Sequence, residues 1–260
     1  MSGILYVTGT PIGNLGDLSP RAAKTLGEVD FIAAEDTRVT LKLLNHLGIK
    51  KPMVSYFEHN KRERGEIICQ RIEQGENCAI VTDAGMPCIS DPGEDLVKLC
   101  EERGIKTVVV PGPSAVISAL AISGLETGRF CFEGFLSVNK KSRSEHLQSL
   151  QNERRTMIFY EAPHKLPSTL RDLFTSFGDR KLSIVRELTK IPRRLSAPPP
   201  RKLPKNTLTA ASRVRSFSFS RASARRKRLK AAHCMTRSNS RNALSPTVKR
   251  RRKPPKTPPR

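Results

Sequence analysis

None of the six cysteines, Cys69, Cys78, Cys88, Cys100, Cys131 and Cys234, stands in a C-x-x-C pair. That absence argues against a zinc or redox site. Scattered single cysteines read as reduced, mostly buried small hydrophobes. No apolar run approaches the ~18 residues that a membrane-spanning helix needs. No signal-peptide pattern opens the sequence, because residues 1–3 lead straight into a strand pattern. The expectation is a cytoplasmic protein with no membrane partner and no metal.

Two further absences divide the chain. Residues 191–260 contain no acidic residue and no glycine. The net charge of +23 would suggest a nucleic-acid binder if it were spread along the chain. It is not: residues 1–190 hold 25 basic and 24 acidic residues, a net charge of +1. The remaining 22 basic residues and ten of the 19 prolines follow position 190. A segment this charged, with little hydrophobic periodicity, is expected to be a disordered basic tail.

The first 190 residues alternate strand and helix patterns. Strands are expected at Ile4–Thr8, Phe31–Ala34, 53–56, 78–82, Lys106–Val110, 130–133, Thr156–Tyr160 and 182–186. Ser19 can cap a helix whose first position is Pro20. Leu41, Leu44 and Leu47 follow helical spacing over Thr37–Leu47, and Gly48 stops that helix. Further helices are expected near 64–74, from 91–92 up to Gly104, and over 114–123, 142–150 and Leu166–Phe177. Strands alternating with such helices imply βαβ units and mainly parallel sheets. The Pro111-Gly112-Pro113 break divides an α/β domain over 1–112 from a second, incomplete one over 113–190.

In open α/β sheets ligands bind beyond the carboxyl ends of the strands. The loops there are rich in glycine, proline and small polar residues: 9–14, 35–38, 83–93 and 111–115. Each alone is compatible with a plain turn. The 83–93 loop is longer than a βα connection usually is, and four such loops share one edge. None is G-x-G-x-x-G or a Walker A sequence, which argues against a ligand held by its phosphates. An adenosine joined to an amino acid fits that constraint.

These loops also carry a resemblance. The segments 10–15, 34–38, 83–87, 89–93 and 111–115, followed by 132–136, 159–165 and 186–190, occur in this order in the small-subunit ribosomal RNA methyltransferase I family. That family lies within the tetrapyrrole methylase superfamily. The resemblance implies two βαβ domains with S-adenosylmethionine in the cleft between them. It implies methylation of the ribose 2′-hydroxyl of a cytidine in small-subunit rRNA, on the free RNA or the small subunit, during ribosome biogenesis. It also implies a homodimer. By this analogy Pro11, Gly13, Asp83, Ala84, Gly85, Ile89, Ser90, Pro111 and Ser114 are expected to contact the cofactor. Glu35, Asp36, Glu161 and His164 are candidates for accepting the hydroxyl proton. Asp36 beside Arg38 equally fits a helix N-cap with an ion pair, and His164 a structural or surface role. Arg38, Lys165 and Arg186 could meet phosphates. The alternatives are a non-enzymatic RNA-binding protein using the basic tail, and a methylase acting on a tetrapyrrole.

After Lys190 the family pattern stops. The family continues with an acidic helix and a strand of the type Gly-Glu-hydrophobic-Val-Leu-Val-hydrophobic-Glu-Gly. Codons for Lys-Gly-Glu-Ile-Val-Leu-Val-Leu-Glu-Gly can be chosen which, read one base later, encode Arg-Val-Arg-Ser-Phe-Ser-Phe-Ser-Arg-Ala, the sequence of residues 213–222. A frameshift near Ile191 therefore accounts for the tail. The competing reading is a genuine arginine-rich arm that grips RNA.

Overall fold

The computed structural model describes residues 2–91 and 93–190, and the backbone of 214–220. The proline run at 198–200, the basic clusters at 225–228 and 249–253, and Cys234 lie outside the described residues. Seventeen elements follow in order, one of them a short 3-10 turn at Leu15–Asp17. The first group is β1 (Ile4–Thr8), α1 (Pro20–Glu28), β2 (Phe31–Ala34), α2 (Thr37–Leu47), β3 (Met53–Ser55), α3 (Lys61–Glu73), β4 (Cys78–Val81), α4 (Gly93–Glu102) and β5 (Lys106–Val110). The second is α5 (Ala115–Ile122), β6 (Phe130–Phe135), α6 (Lys140–Ser149), β7 (Thr156–Tyr160), α7 (Leu166–Phe177), β8 (Lys181–Arg186) and β9 (Val214–Ser220).

The first sheet is wholly parallel, in the order β3-β2-β4-β1-β5. Its inner strands β2 and β4 are buried on both faces, so they read as continuous apolar runs. Phe31, Ala33, Cys78 and Ile80 face Ile68, Cys69 and Ile72 of α3 and Leu96 and Cys100 of α4. Their neighbours Ile32, Ala34, Ala79 and Val81 face Leu26 of α1 and Leu43 and Leu44 of α2. The period-2 alternation of the strand thus assigns each residue to one helical layer.

Helix ends follow sequence signals. The Ser19 side chain accepts from Ala22 N at 3.1 Å, with Pro20 in the first turn of α1. Gly48 closes α2 at φ 68, a left-handed position that costs glycine nothing. Cys69, Cys78 and Cys100 are buried, while Cys88 and Cys131 are half-buried; all five are free. Cys69 and Cys100 meet across the α3–α4 contact with their sulfurs 3.8 Å apart.

The second sheet runs β6-β7-β9-β8. β6 and β7 are parallel; β9 is antiparallel to both β7 and β8. Leu147 of α6 and Leu166 and Leu173 of α7 pack with Met157 and Phe159 on one face. Val116 and Leu120 of α5 pack with Ile158, Phe130 and Phe132 on the other. β9 lies inside the segment expected to be disordered, and this corrects that expectation at residues 214–220. The alternation Ser216-Phe217-Ser218-Phe219 has the period of a strand, which the charge and proline content of the surrounding tail obscures. Both sheets fall in one compact unit. No helix among the described residues is long and apolar enough to cross a membrane.

Candidate functional site

The loops beyond the first sheet are stitched together by buried polar contacts. Thr10, only 3% exposed, pairs its backbone with Gly85: N–H to O at 2.9 Å one way and 3.2 Å the other. Its hydroxyl lies 3.1 Å from the Thr82 carbonyl, to which it donates. Gly9 and Gly112 lie back to back. A Cβ on Gly9 would sit 2.7 Å from both Gly112 Cα and Met86 Sδ. Gly85, at φ 98, would push a Cβ to 3.2 Å from Ile12 Cγ2 and 3.3 Å from the Pro113 carbonyl. Glycine at these positions lets three loops approach through their backbones.

The 83–93 loop is held from within. Asp91 Oδ1 accepts from Cys88 N at 2.7 Å and from Gly93 N at 3.1 Å. Burial pushes the Asp91 carboxyl above the usual range, against the pull of those two N–H groups. Cys88 and Ser90 stand in left-handed backbone, at φ 69 and 65, without being glycine. Such positions persist where surrounding contacts over-determine them, and they cluster at ligand sites.

A cavity of about 600 Å³ opens between these loops and the ends of β6, β7 and β8. Of the nine expected cofactor contacts, Pro11, Gly13, Asp83, Ala84, Gly85, Ile89, Ser90 and Ser114 line it. Pro111 does not: it is exposed and outside the lining. α2 also contributes Val39, Lys42 and Leu43 to the wall, the second sheet contributes Phe135, Tyr160 and Arg186, and the segment after β8 contributes Glu187 and Leu188. No cofactor role was assigned to these from the sequence. The lining residues of α2 look like ordinary helix positions. Phe135 and Tyr160 sit in segments that carry the family resemblance, but their facing direction depends on sheet register.

Of the four candidate proton acceptors, Glu35 is in the lining and the other three are not. Glu35 Oε2 accepts from the Thr82 hydroxyl at 2.5 Å and from Asp83 N at 3.3 Å. Asp36 caps α2, accepting from Arg38 N at 2.8 Å, Nε at 3.0 Å and Nη2 at 2.7 Å. The Arg38 fork holds that carboxyl down to about 2. Glu161, 4% exposed, accepts from the Thr169 hydroxyl and from Ala162 N at 2.7 Å. Thr169 Oγ1 in turn accepts from Arg143 Nη2 at 2.7 Å, and Arg143 Nε donates to Asp172 at 2.7 Å. Glu161 is therefore committed to a buried network joining α6, α7 and the end of β7. His164 and Lys165 are exposed and lie outside the cavity lining.

The segment after β8 reaches the β1 loop. Glu187, at φ 53, pairs with Lys190 at 2.5 Å. A Cβ on Gly13 would meet Thr189 Oγ1 at 3.1 Å and Lys190 Cγ at 3.3 Å. Among the described residues, no cluster of three or more His, Cys, Asp or Glu is arranged to hold a metal ion.

The sequence matches the family model of Tetrapyrrole (Corrin/Porphyrin) Methylases over residues 4–194. Among curated proteins, Ribosomal RNA small subunit methyltransferase I of Synechocystis sp. is 54% identical over 189 residues, covering 72% of this chain and 68% of the relative. The protein of the same name from Thermotoga maritima is 51% identical, covering 73% of this chain and 85% of its own. Among solved structures, diphthine synthase aligns at TM-score 0.61 and 11% identity, covering 84% of this chain and 90% of that one. Uroporphyrin-III-C-methyltransferase from Thermus thermophilus aligns at TM-score 0.51 and 18% identity, covering 73% and 81%. At those identities the structures speak for the fold alone. The family model spans both sheets up to the end of β8, and the two curated relatives are more than half identical to this chain over more than two thirds of their own lengths; the chain belongs to the ribosomal RNA small subunit methyltransferase I family of tetrapyrrole methylases.

Proposed function

We propose that this chain transfers a methyl group from S-adenosylmethionine to the ribose 2′-hydroxyl of a cytidine in small-subunit rRNA. In this reading it works in the cytoplasm as a homodimer, on the RNA or the small subunit. The observation that carries the proposal is the cavity at the carboxyl edge, walled by small-residue loops without a phosphate cradle. Its volume of about 600 Å³ lies in the range of small-molecule sites. Gly85, where a Cβ would crowd Ile12 and Pro113, holds the loops close together around the cavity. Asp83 supplies a carboxylate to the same wall, suited to hydroxyl donors and positive charge. These features fit an adenosine with an amino-acid arm. Pro11, Gly13, Asp83, Ala84, Gly85, Ile89, Ser90 and Ser114 are the residues assigned to hold it.

The donor, when bound, supplies a methyl group already activated by a positively charged sulfur. What the protein must add is alignment of the incoming oxygen and removal of its proton. Glu35 has the right place for the second task, because it lines the cavity and is fixed by Thr82. Glu35→Gln is expected to lower kcat about 100-fold, the low end of a general base's contribution. The donor's Kd, read by calorimetric titration, should move by less than a factor of about three. Unchanged kcat would remove Glu35 from the chemistry.

Glu161 is assigned a structural role. Glu161→Gln puts an amide N–H₂ against one of two donors in a buried site. It should lower stability by about 1–3 kcal/mol, the cost of an unsatisfied buried group. Turnover per folded molecule should stay within a few-fold, measured with the folded fraction fixed by circular dichroism. A 100-fold loss of kcat at full folding would return Glu161 to the reaction.

A further inference from the structure

Phe135 closes β6 and is 59% exposed, although it lines the cavity. Phe57 and Phe174 are also exposed among the described residues, but neither borders the cavity. A large ring left in water at the mouth of a site needs a reason that a scattered surface hydrophobe does not. We propose that Phe135, backed by Tyr160, is the platform on which the base of the methyl-accepting nucleotide stacks. The inference rests on the rRNA reading above.

Three observations support it. The first is that the ring is held rather than loose. The β6–β7 register shifts between Phe132 and Gly134, and Gly134 stands at φ 62. A Cβ there would lie 3.3 Å from Ser90 Oγ, so the strand end abuts the 83–93 loop. After the shift Phe135 pairs with Tyr160, with ring centroids 5.3 Å apart and tilted by 51°. Tyr160 is itself packed edge-on against Phe132, at 5.0 Å and 73°. The glycine bulge thus turns Phe135 toward the cavity, and an aromatic stack supports it.

The second observation is the company it keeps. Lys42 and Arg186 line the same cavity and bring positive charge suited to a phosphate backbone, while Lys190, also in the lining, is paired with Glu187. Aromatic ring plus basic groups is how proteins hold single-stranded nucleotides whose bases have left the stack. The third is chemical. A nucleotide whose ribose hydroxyl is carried deep into a cavity between two sheets is drawn away from its stacked neighbours. A base so displaced loses stacking and is stabilised by a new aromatic partner. Phe135 offers that partner at the rim.

The chain contains no tryptophan, so Phe135→Trp installs a unique fluorophore. The probe is a five-nucleotide RNA with a central cytidine, beside the same RNA with an abasic central ribose. The two carry equal backbone charge, so contacts to phosphate alone give equal signals. Quenching by the cytidine RNA, with much weaker quenching by the abasic one, is the expected result. In steady-state transfer to small subunits, Phe135→Ala should raise KM about 10-fold, within the range measured for loss of one base–aromatic stack. Phe135→Tyr should restore it, and the Kd for S-adenosylmethionine should stay within about twofold in all variants. Equal quenching by both RNAs overturns the platform. So does a Phe135→Ala variant that loses donor affinity while its RNA KM holds, since the ring would then serve the donor. If the unaltered chain transfers no methyl group, the rRNA reading fails, and the fluorescence comparison still decides the platform.

Discussion

Gly9→Ala is expected to lower stability by about 3 kcal/mol, the upper end of the overpacking range, and so to lower Tm by roughly 6–12 °C. The reason is geometric. A methyl group at position 9 lands 2.7 Å from Gly112 Cα and Met86 Sδ, and 2.8 Å from Gly112 N. Two of these neighbours are backbone, which cannot swing aside as a side-chain end does. The β1 and β5 loops must part, and β1 and β5 are paired along their whole length, Ile4 with Lys106 through Thr8 with Val110. Separation at the loops therefore disturbs the cavity floor before it unzips the sheet. Donor affinity should fall more than about tenfold even at temperatures where the chain is folded. Gly128→Ala is the control: a Cβ there meets nothing within 4 Å, so stability should change by less than about 0.5 kcal/mol. Thermal unfolding and calorimetric titration of both variants decide the matter. Equal behaviour of the two would mean that the Gly9–Gly112 approach does not shape the site.

Ser218→Pro in β9 is expected to cost about 3 kcal/mol or more and to release β8. Ser218 pairs with Ile158 of β7 on one side and with Ser183 of β8 on the other. Proline in an inner strand removes a ladder donor and clashes with a neighbouring backbone. β9 is the strand through which β8 joins the sheet. β8 ends at Arg186 and leads directly into the Glu187–Lys190 pair against Gly13. Losing β9 should thus loosen the wall that carries Arg186, Glu187 and Leu188. Hydrogen exchange at the amides of β8 reads this directly: protection should drop there and persist in β1 and β4. Unchanged protection in β8 would mean that β9 does not hold it.

Much of the fold was legible in the sequence because local and long-range requirements agree. Ser19-Pro20, Gly48 and the β-branched run of β5 mark element ends by chemistry that does not depend on tertiary neighbours. Where the neighbours decide, the reading falls short. β6 runs two residues beyond the expected Glu133, because Gly134 forms a bulge that carries Phe135 into the sheet. α3 begins at Lys61 rather than near Arg64; the Asn60 side chain there is engaged with Phe57 N and the Ser55 carbonyl, at 2.8 and 3.0 Å. β9 lies within the basic tail, whose charge and proline content argue for no structure.

The site shows the same division. Loop composition and the alternation of strands and helices pointed to the carboxyl edge, since glycine and small residues announce close backbone approach. The facing direction of Glu35 and Glu161 was not readable. Asp36 is engaged by Arg38 two residues on, and Glu161 turns inward to Thr169 eight residues on. Glu35 reaches the cavity because its partner, Thr82, comes from a strand paired alongside. The outcomes at Glu35 and Glu161 rest on contacts between elements, whereas the Asp36–Arg38 pair is local and is one of the two readings that the sequence offers.

The most direct measurement is methyl transfer from labelled S-adenosylmethionine to small ribosomal subunits that lack the modification, with the product nucleotide identified by mass spectrometry after digestion of the rRNA. The expected product is one 2′-O-methylated cytidine in the small-subunit rRNA, formed by the unaltered chain and about 100-fold more slowly by Glu35→Gln. A methyl group on a nucleobase, or no transfer from a chain that binds the donor, would contradict the proposed function.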